Sequence, residues 1–327
     1  AFDRSPTQTR KRARLQRSPP LLKGASLSTL VQTWHIACYE WFDALRSRRA
    51  LVVLLLYLAA AVCNMYWSIN LLHKLETELA SALQLPASEQ AGVVSTALWK
   101  SKPFQRMMTK MTQNDLVLRD ITGKHPVELI YAWFAFFYTP LLVVLVAGNR
   151  IAEEIGSGSV RYVIFRTSRA SWSLGKFVGQ TLMIGLALML SDASAYAVAK
   201  FRLAGSGTPD LFLNMVQWSL RAWIYSIPYL GLAMGLSHLT RSSSKATVMG
   251  ILAITLCFAL SILIRHFTLD TGWRAYLPHL GQLLPDGHKM LLWRNAAAPL
   301  VAGSATLVTL GVCYLLTGYA FFRNRDV

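Results

Sequence analysis

The chain has 327 residues, of which 54% are hydrophobic and only 15% charged, and a formal net charge of +17. At a mean hydropathy of +0.37 it is too apolar for an ordinary soluble domain of its size. Several runs approach or exceed the roughly eighteen near-uncharged residues needed to cross about 30 Å of hydrocarbon, so the composition points to a membrane protein.

Residues 1–25 carry Arg10, Lys11, Arg12, Arg14, Arg17 and Lys23 among Pro6, Pro19 and Pro20. Such a segment cannot bury enough surface to fold, and a flexible basic cytosolic tail is expected. It has no apolar core followed by a small-residue cleavage site, so a secretory signal is not expected. Anionic lipid headgroups suit it, at about 1 kcal/mol per charge. No aromatic and basic recognition module follows, which argues against nucleic acid.

In residues 26–49, Leu27, Leu30, Val31, Trp34, Cys38, Trp41, Phe42 and Leu45 recur at steps of three and four. Ser28, Gln32, Thr33, Glu40, Asp43 and Arg46 take the other side. That is the pattern of an amphipathic helix lying in the headgroup plane. The rest, 50–327, reads as an all-α transmembrane domain of six spans, near 50–71, 128–148, 177–199, 217–239, 246–264 and 299–322. An even count puts both termini on one side. Segments assigned to the cytosol hold 19 Lys and Arg against 6 acids, and the opposite side 14 against 10. The excess, with Arg46, Arg48, Arg49, Arg241, Lys245 and Arg323 beside span ends, places both termini inside. Most of the positive charge is therefore topological.

The outer segment 73–127 is long and mixed in charge. Leu75, Leu79 and Leu83 predict that the first span continues outward to a break near Pro86, and a second helix is expected over 101–118. Met107, Met108 and Met111 in it read as packing rather than a soft-metal site, because no His or Cys lies within helical reach. Residues 265–298, broken by Pro278, Pro285 and Gly287, predict short helices on the outer leaflet before the last span. His266, His279 and His288 are too widely spaced for a compact ligand set. Cys38, Cys63, Cys257 and Cys313 lie on apolar helical patterns without CxxC spacing and read as small core residues.

Ionisable groups inside spans invite a functional reading. Asp192 and Arg221 fall near the outer interface, as an ion pair, as two separately solvated groups, or as the lining of an exit path. With the aromatics around Pro140 and Pro228, they give candidate translocation-path residues Phe134, Tyr138, Asp192, Tyr196, Trp223 and Tyr225.

The most informative stretch is the cytosolic loop 149–176, too long for a hairpin tip. It runs through Glu153, Glu154, Gly156, Ser157, Gly158 and Ser159, then Val160, Arg161, Tyr162 and Phe165, then Ser168, Arg169, Gly175 and Lys176. No GxxxxGK[ST], GxSxG or HExxH appears anywhere, so no catalytic site is expected.

In these motifs the chain resembles the permease subunits of type-2 ATP-binding-cassette exporters with type V architecture. The resemblance covers nearly everything after residue 26. The amphipathic segment is similar to that family's elbow helix. Glu153-Glu154, Gly158-Ser159, Ser168-Arg169 and Leu174-Gly175-Lys176 match its first cytosolic loop, with Thr167 where the family has proline. Leu239-Thr240-Arg241-Ser242 resembles its second cytosolic turn, and Phe322-Arg323-Asn324-Arg325-Asp326 its Phe-x-Arg-Arg-Asp ending.

The resemblance implies a bacterial inner-membrane permease that pairs with a second permease copy and docks a separate ATPase subunit. ATP and magnesium are then bound by that partner, and no cofactor by this chain. The 149–176 loop becomes the coupling helix, with Glu153, Glu154, Gly156, Gly158, Arg161, Tyr162, Phe165 and Arg169 at the ATPase contact. Acids at the start of that helix suit its macrodipole and a basic partner, and the aromatics suit a groove. A membrane scaffold that recruits a cytosolic partner without transport is the alternative.

Overall fold

The computed structural model describes residues 24–82, 99, 102–112, 114–203, 209–267 and 277–324, and among these it has helices and no sheet. The basic tail, the break near Pro86, and Arg325-Asp326 of the C-terminal motif lie outside the described residues.

Helix α1 (Gly24–Arg46) ends one residue before α2 (Arg48–Ala82), which runs 35 residues, about 52 Å. The first span does continue outward, well past the bilayer core. The helix expected over 101–118 is instead two, α3 (Lys102–Thr112) and α4 (Asp115–Ile121). The break falls at Asn114, whose backbone is extended and whose side-chain Oδ1 accepts the N–H groups of Leu116 and Val117, capping α4 as a new start.

The bundle follows as α5 (Pro126–Ala147), α8 (Arg169–Arg202), α9 (Pro209–Ser237), α10 (Ser243–Phe267) and α13 (Ala297–Arg323). Between α5 and α8 sit two short helices, α6 (Arg150–Ser157) and α7 (Val160–Ile164). Before α13 come α11 (Leu277–Gly281), a 3-10 turn (Pro285–His288) and α12 (Lys289–Leu292), the short helices that Pro278 and Pro285 predict.

Among the described residues, five helical stretches are long and apolar enough to cross a membrane, built on α2, α5, α8, α10 and α13. Helix α9 is long enough at 29 residues but less apolar. It packs against α13, α5, α8 and α10 together, so its Ser219, Tyr225, Ser226 and Tyr229 face other helices and are buried. Helices α9 and α13 meet backbone to backbone in the half nearer the α6–α7 loop. A Cβ on Gly231 would lie 2.0 Å from the Gly311 carbonyl oxygen, and one on Gly318 2.1 Å from that of Gly235.

Helix α1 is amphipathic, but its apolar side turns away from the protein: Leu30, Val31, Trp34 and Phe42 are exposed. The side against α8 is Thr33, Ile36, Ala37 and Glu40, where Gly175 and Gly179 let the helices close. A Cβ on Gly179 would fall 2.8 Å from the Ala37 carbonyl oxygen. Leu30, Trp34 and Phe42 thus form an exposed apolar stripe on α1. The cysteines divide. Cys38 and Cys257 are half-buried, but Cys63 and Cys313 are exposed on α2 and α13 rather than in the core.

Candidate functional site

The α6–α7 segment is built from an unusual local sequence. Ile151, Ala152 and Ile155 bury one side of α6, while Glu153 and Gly156 stay outside. The helix is pinned to the ends of its neighbours. Asn149 donates to the Ser243 hydroxyl at 2.6 Å, and the Ala152 N–H to the Ser237 hydroxyl at 2.9 Å. Gly156 passes so close to Arg241 that a Cβ would sit 2.2 Å from its carbonyl oxygen. The α5–α8 loop and the turn between α9 and α10 are therefore in direct contact. Gly158 then ends α6 with φ +74, the left-handed geometry that glycine adopts without penalty, and the chain reverses into α7.

Behind this lever sits an ion cluster. Lys176, 2% exposed, contacts Glu154 Oε1 at 2.6 Å and makes a second, shorter contact with Glu40. Glu40 is 4% exposed and also accepts Gln180 Nε2 at 3.3 Å; Trp172 Nε1 donates to Glu154 Oε2 at 3.0 Å. One lysine thus ties α1, α6 and α8 together. A charge buried this deeply needs such partners, since desolvation costs several kcal/mol per ion. At the rim of the cluster Arg150 reaches Asp43 at 3.2 Å, a second link from α6 to α1. A cavity of about 440 Å³ opens beside it, lined by His35, Tyr39, Glu40, Val163 and Trp172.

Trp172 extends the network toward the C-terminus. Its ring lies 5.5 Å from Phe322 and edge-on to His238, which bonds the Ser173 hydroxyl at 3.1 Å and the Met234 carbonyl at 2.8 Å. Arg169 donates to the Arg323 carbonyl at 3.0 Å over the Phe322 ring.

The predicted contact residues therefore separate into two groups. Glu153, Arg161, Tyr162 and Phe165 are exposed, Tyr162 by 79% and Phe165 by 89%. Glu154, Arg169, Gly156 and Gly158 serve the chain itself, as ion pair, C-terminal clasp, close approach and helix end. Glu40 is the largest departure from the sequence reading: assigned to the solvated side of α1, it is among that helix's most buried residues. A lysine at a span entrance was the available signal, because such a charge demands an acid nearby.

The candidate path residues do not form one cluster. Phe134 packs between Tyr57 and Tyr138. Asp192 is buried near Ser219 and Tyr131, themselves 2.9 Å apart. Tyr196 packs against Phe212 with the rings tilted by 57°, and Trp223 donates to the Thr181 carbonyl at 2.7 Å. Tyr225 bonds Tyr229 at 2.7 Å and Asp286 at 3.3 Å, holding the 3-10 turn to α9. Among the described residues Asp192 and Arg221 form no ion pair: Arg221 lies over the Trp218 ring instead. No group of three His, Cys, Asp or Glu among the described residues could hold a metal.

The family model described as ABC-2 family transporter protein matches residues 34–327. No curated protein matches the chain.

Proposed function

The chain belongs to the ABC-2 transporter family, as a multi-pass membrane permease component of an ATP-binding-cassette transporter, and from that premise we propose that it forms half of an exporter's translocation path. In this reading α9 is a sixth span. Its 29 residues cover about 43 Å, and the spans around it shield its polar side chains. Both termini face the cytosol of a bacterial inner membrane, where the basic segments lie. A second permease copy completes the pore. This chain performs no hydrolysis, and ATP and magnesium belong to the partner ATPase.

The observation that carries the reading is the exposed aromatic pair on a braced lever. Tyr162 on α7 and Phe165 at its C-terminal cap are large side chains left exposed, whereas Ile151, Ile155 and Val160 of the same loop are buried. Such anchors fit a groove on a partner. The α6–α7 unit on which they stand is tied to α1 and α8 by Lys176, to α9 by Ser237, and to α10 by Ser243. A push on the aromatics is thereby delivered to four helices at once. That suits a two-state element driven from a remote nucleotide site. Glu153, exposed in the first turn of α6, offers an acid to a basic partner residue.

Cysteine crosslinking tests it. Phe165→Cys should crosslink to the cognate ATPase in native membranes, in a yield that changes when ATP is trapped. A cysteine at Phe201, equally exposed but at the far end of α8, should not crosslink. Equal yields at the two positions would remove the coupling assignment.

A further inference from the structure

We propose that the groove between α9 and α13, at the end opposite the α6–α7 loop, binds an anionic phospholipid, with its phosphate on Arg221 and an acyl chain along the apolar wall. The two helices touch at Gly231–Gly311 and Gly235–Gly318 and leave between their other halves a groove of about 720 Å³. Its wall is Leu220, Ile224, Leu300, Val301 and Val308, with the Ser304 and Thr309 hydroxyls beside them. Leu220, Val301 and Val308 are exposed, so the groove opens sideways to lipid rather than into the bundle.

Arg221 supplies the recognition. It lines this groove, it is only 9% exposed, and its Nη1 has no hydrogen-bond partner among the described residues. A buried N–H of a charged group left without an acceptor is costly, and the planar fork of arginine suits a phosphate. Its surroundings carry excess positive charge. Lys124 and Arg221 both lie against the Trp218 ring, at 5.3 and 4.7 Å. The nearest acid charges are already engaged. Asp120 takes Arg294 at 2.7 Å and the Asn295 N–H at 3.0 Å, and Glu128 is 3.9 Å from Lys124.

Depth agrees with a headgroup. Arg221 lies about 24 Å along α9 from Ser237, against a hydrocarbon core of about 30 Å. The guanidinium therefore sits near the far boundary of the core, where lipid phosphate begins. The apolar residues of α13 that line the groove run from there toward the bilayer centre.

The test is native mass spectrometry of the full-length protein in mild detergent, with phosphatidylglycerol or phosphatidylcholine added at a fixed ratio. Wild type should retain one phosphatidylglycerol in preference to phosphatidylcholine. Arg221→Gln should lower that retention by about tenfold, the worth of a charge-assisted hydrogen bond, and Arg221→Lys by less. Ala305→Trp fills the groove from its exposed side, leaves the arginine in place, and should also lower retention. That variant carries the test if Arg221→Gln does not fold. Equal retention by wild type and Ala305→Trp would overturn the proposal. So would displacement of the lipid by inorganic phosphate at comparable concentration, which would show a small-anion site instead.

Discussion

Replacing Lys176 with methionine shortens the unbranched side chain by one heavy atom and removes its charge, leaving Glu40 without its cation. Glu40 is 4% exposed, and the Gln180 amide is its other hydrogen-bond partner among the described residues. Breaking a buried pair from one side costs about 3–5 kcal/mol, because the remaining charge stays desolvated. Glu154 is partly exposed and keeps its bond from Trp172, so its share of the cost is small. Lys176→Met/Glu40→Leu removes both buried charges and should recover most of the loss. Thermal unfolding followed by tryptophan fluorescence in one detergent reads all three forms. A Lys176→Met variant that melts with wild type, within about 0.5 kcal/mol as for a surface change, would refute the reasoning. So would a double variant no better than the single one.

Tyr162→Ala and Phe165→Ala should leave the melting temperature unchanged, both side chains being exposed, while lowering permease-dependent ATP hydrolysis by tenfold or more, as loss of a partner anchor does. Gly179→Val should destabilise by roughly 1–3 kcal/mol, because the added carbon meets the Ala37 carbonyl; circular dichroism melts read the effect. The outer clasp of Asp120 with Arg294 and Asn295 should depend on pH. The hydrogen bond from Arg294, then that from the Asn295 backbone, holds the Asp120 carboxyl below its ordinary value of 3.8. A lowered carboxylate contributes stability above its unfolded value that is lost as pH falls through its folded value. Protection factors in α4, with the intrinsic pH dependence of exchange divided out, should therefore be constant above about pH 3.8 and fall below it, and Asp120→Asn should abolish the dependence.

The helical layout was legible because apolar runs and their polar ends are strong, local signals. The outward extension of α2, the short helices before α13 and the bounds of α5, α10 and α13 all came from them. Helix α9 shows where the signal weakens. Its Ser219, Tyr225 and Tyr229 are tolerated because other helices cover them, and local hydropathy does not register that shielding. The loop was readable as a segment but not as a mechanism. Glu153 and Glu154 are adjacent in sequence and look equivalent, yet a helix turns adjacent side chains about 100° apart. One faces solvent and the other a lysine twenty-two residues on. Glu40 failed for the same reason. On α1 the side facing the protein is the one carrying small residues that fit against Gly175 and Gly179, and the apolar side faces outward, the reverse of the rule for soluble helices.

The most direct measurement is purification of the tagged chain from native membranes in mild detergent, with mass spectrometry of what accompanies it and an ATPase assay of the eluate. A permease subunit should bring down an ATP-binding-cassette ATPase in stoichiometric amount, with hydrolysis lost in Tyr162→Ala/Phe165→Ala while the chain remains folded. Recovery of the chain with a partner that hydrolyses no ATP, or hydrolysis indifferent to the aromatic pair, would contradict the coupling of this lever to an ATPase.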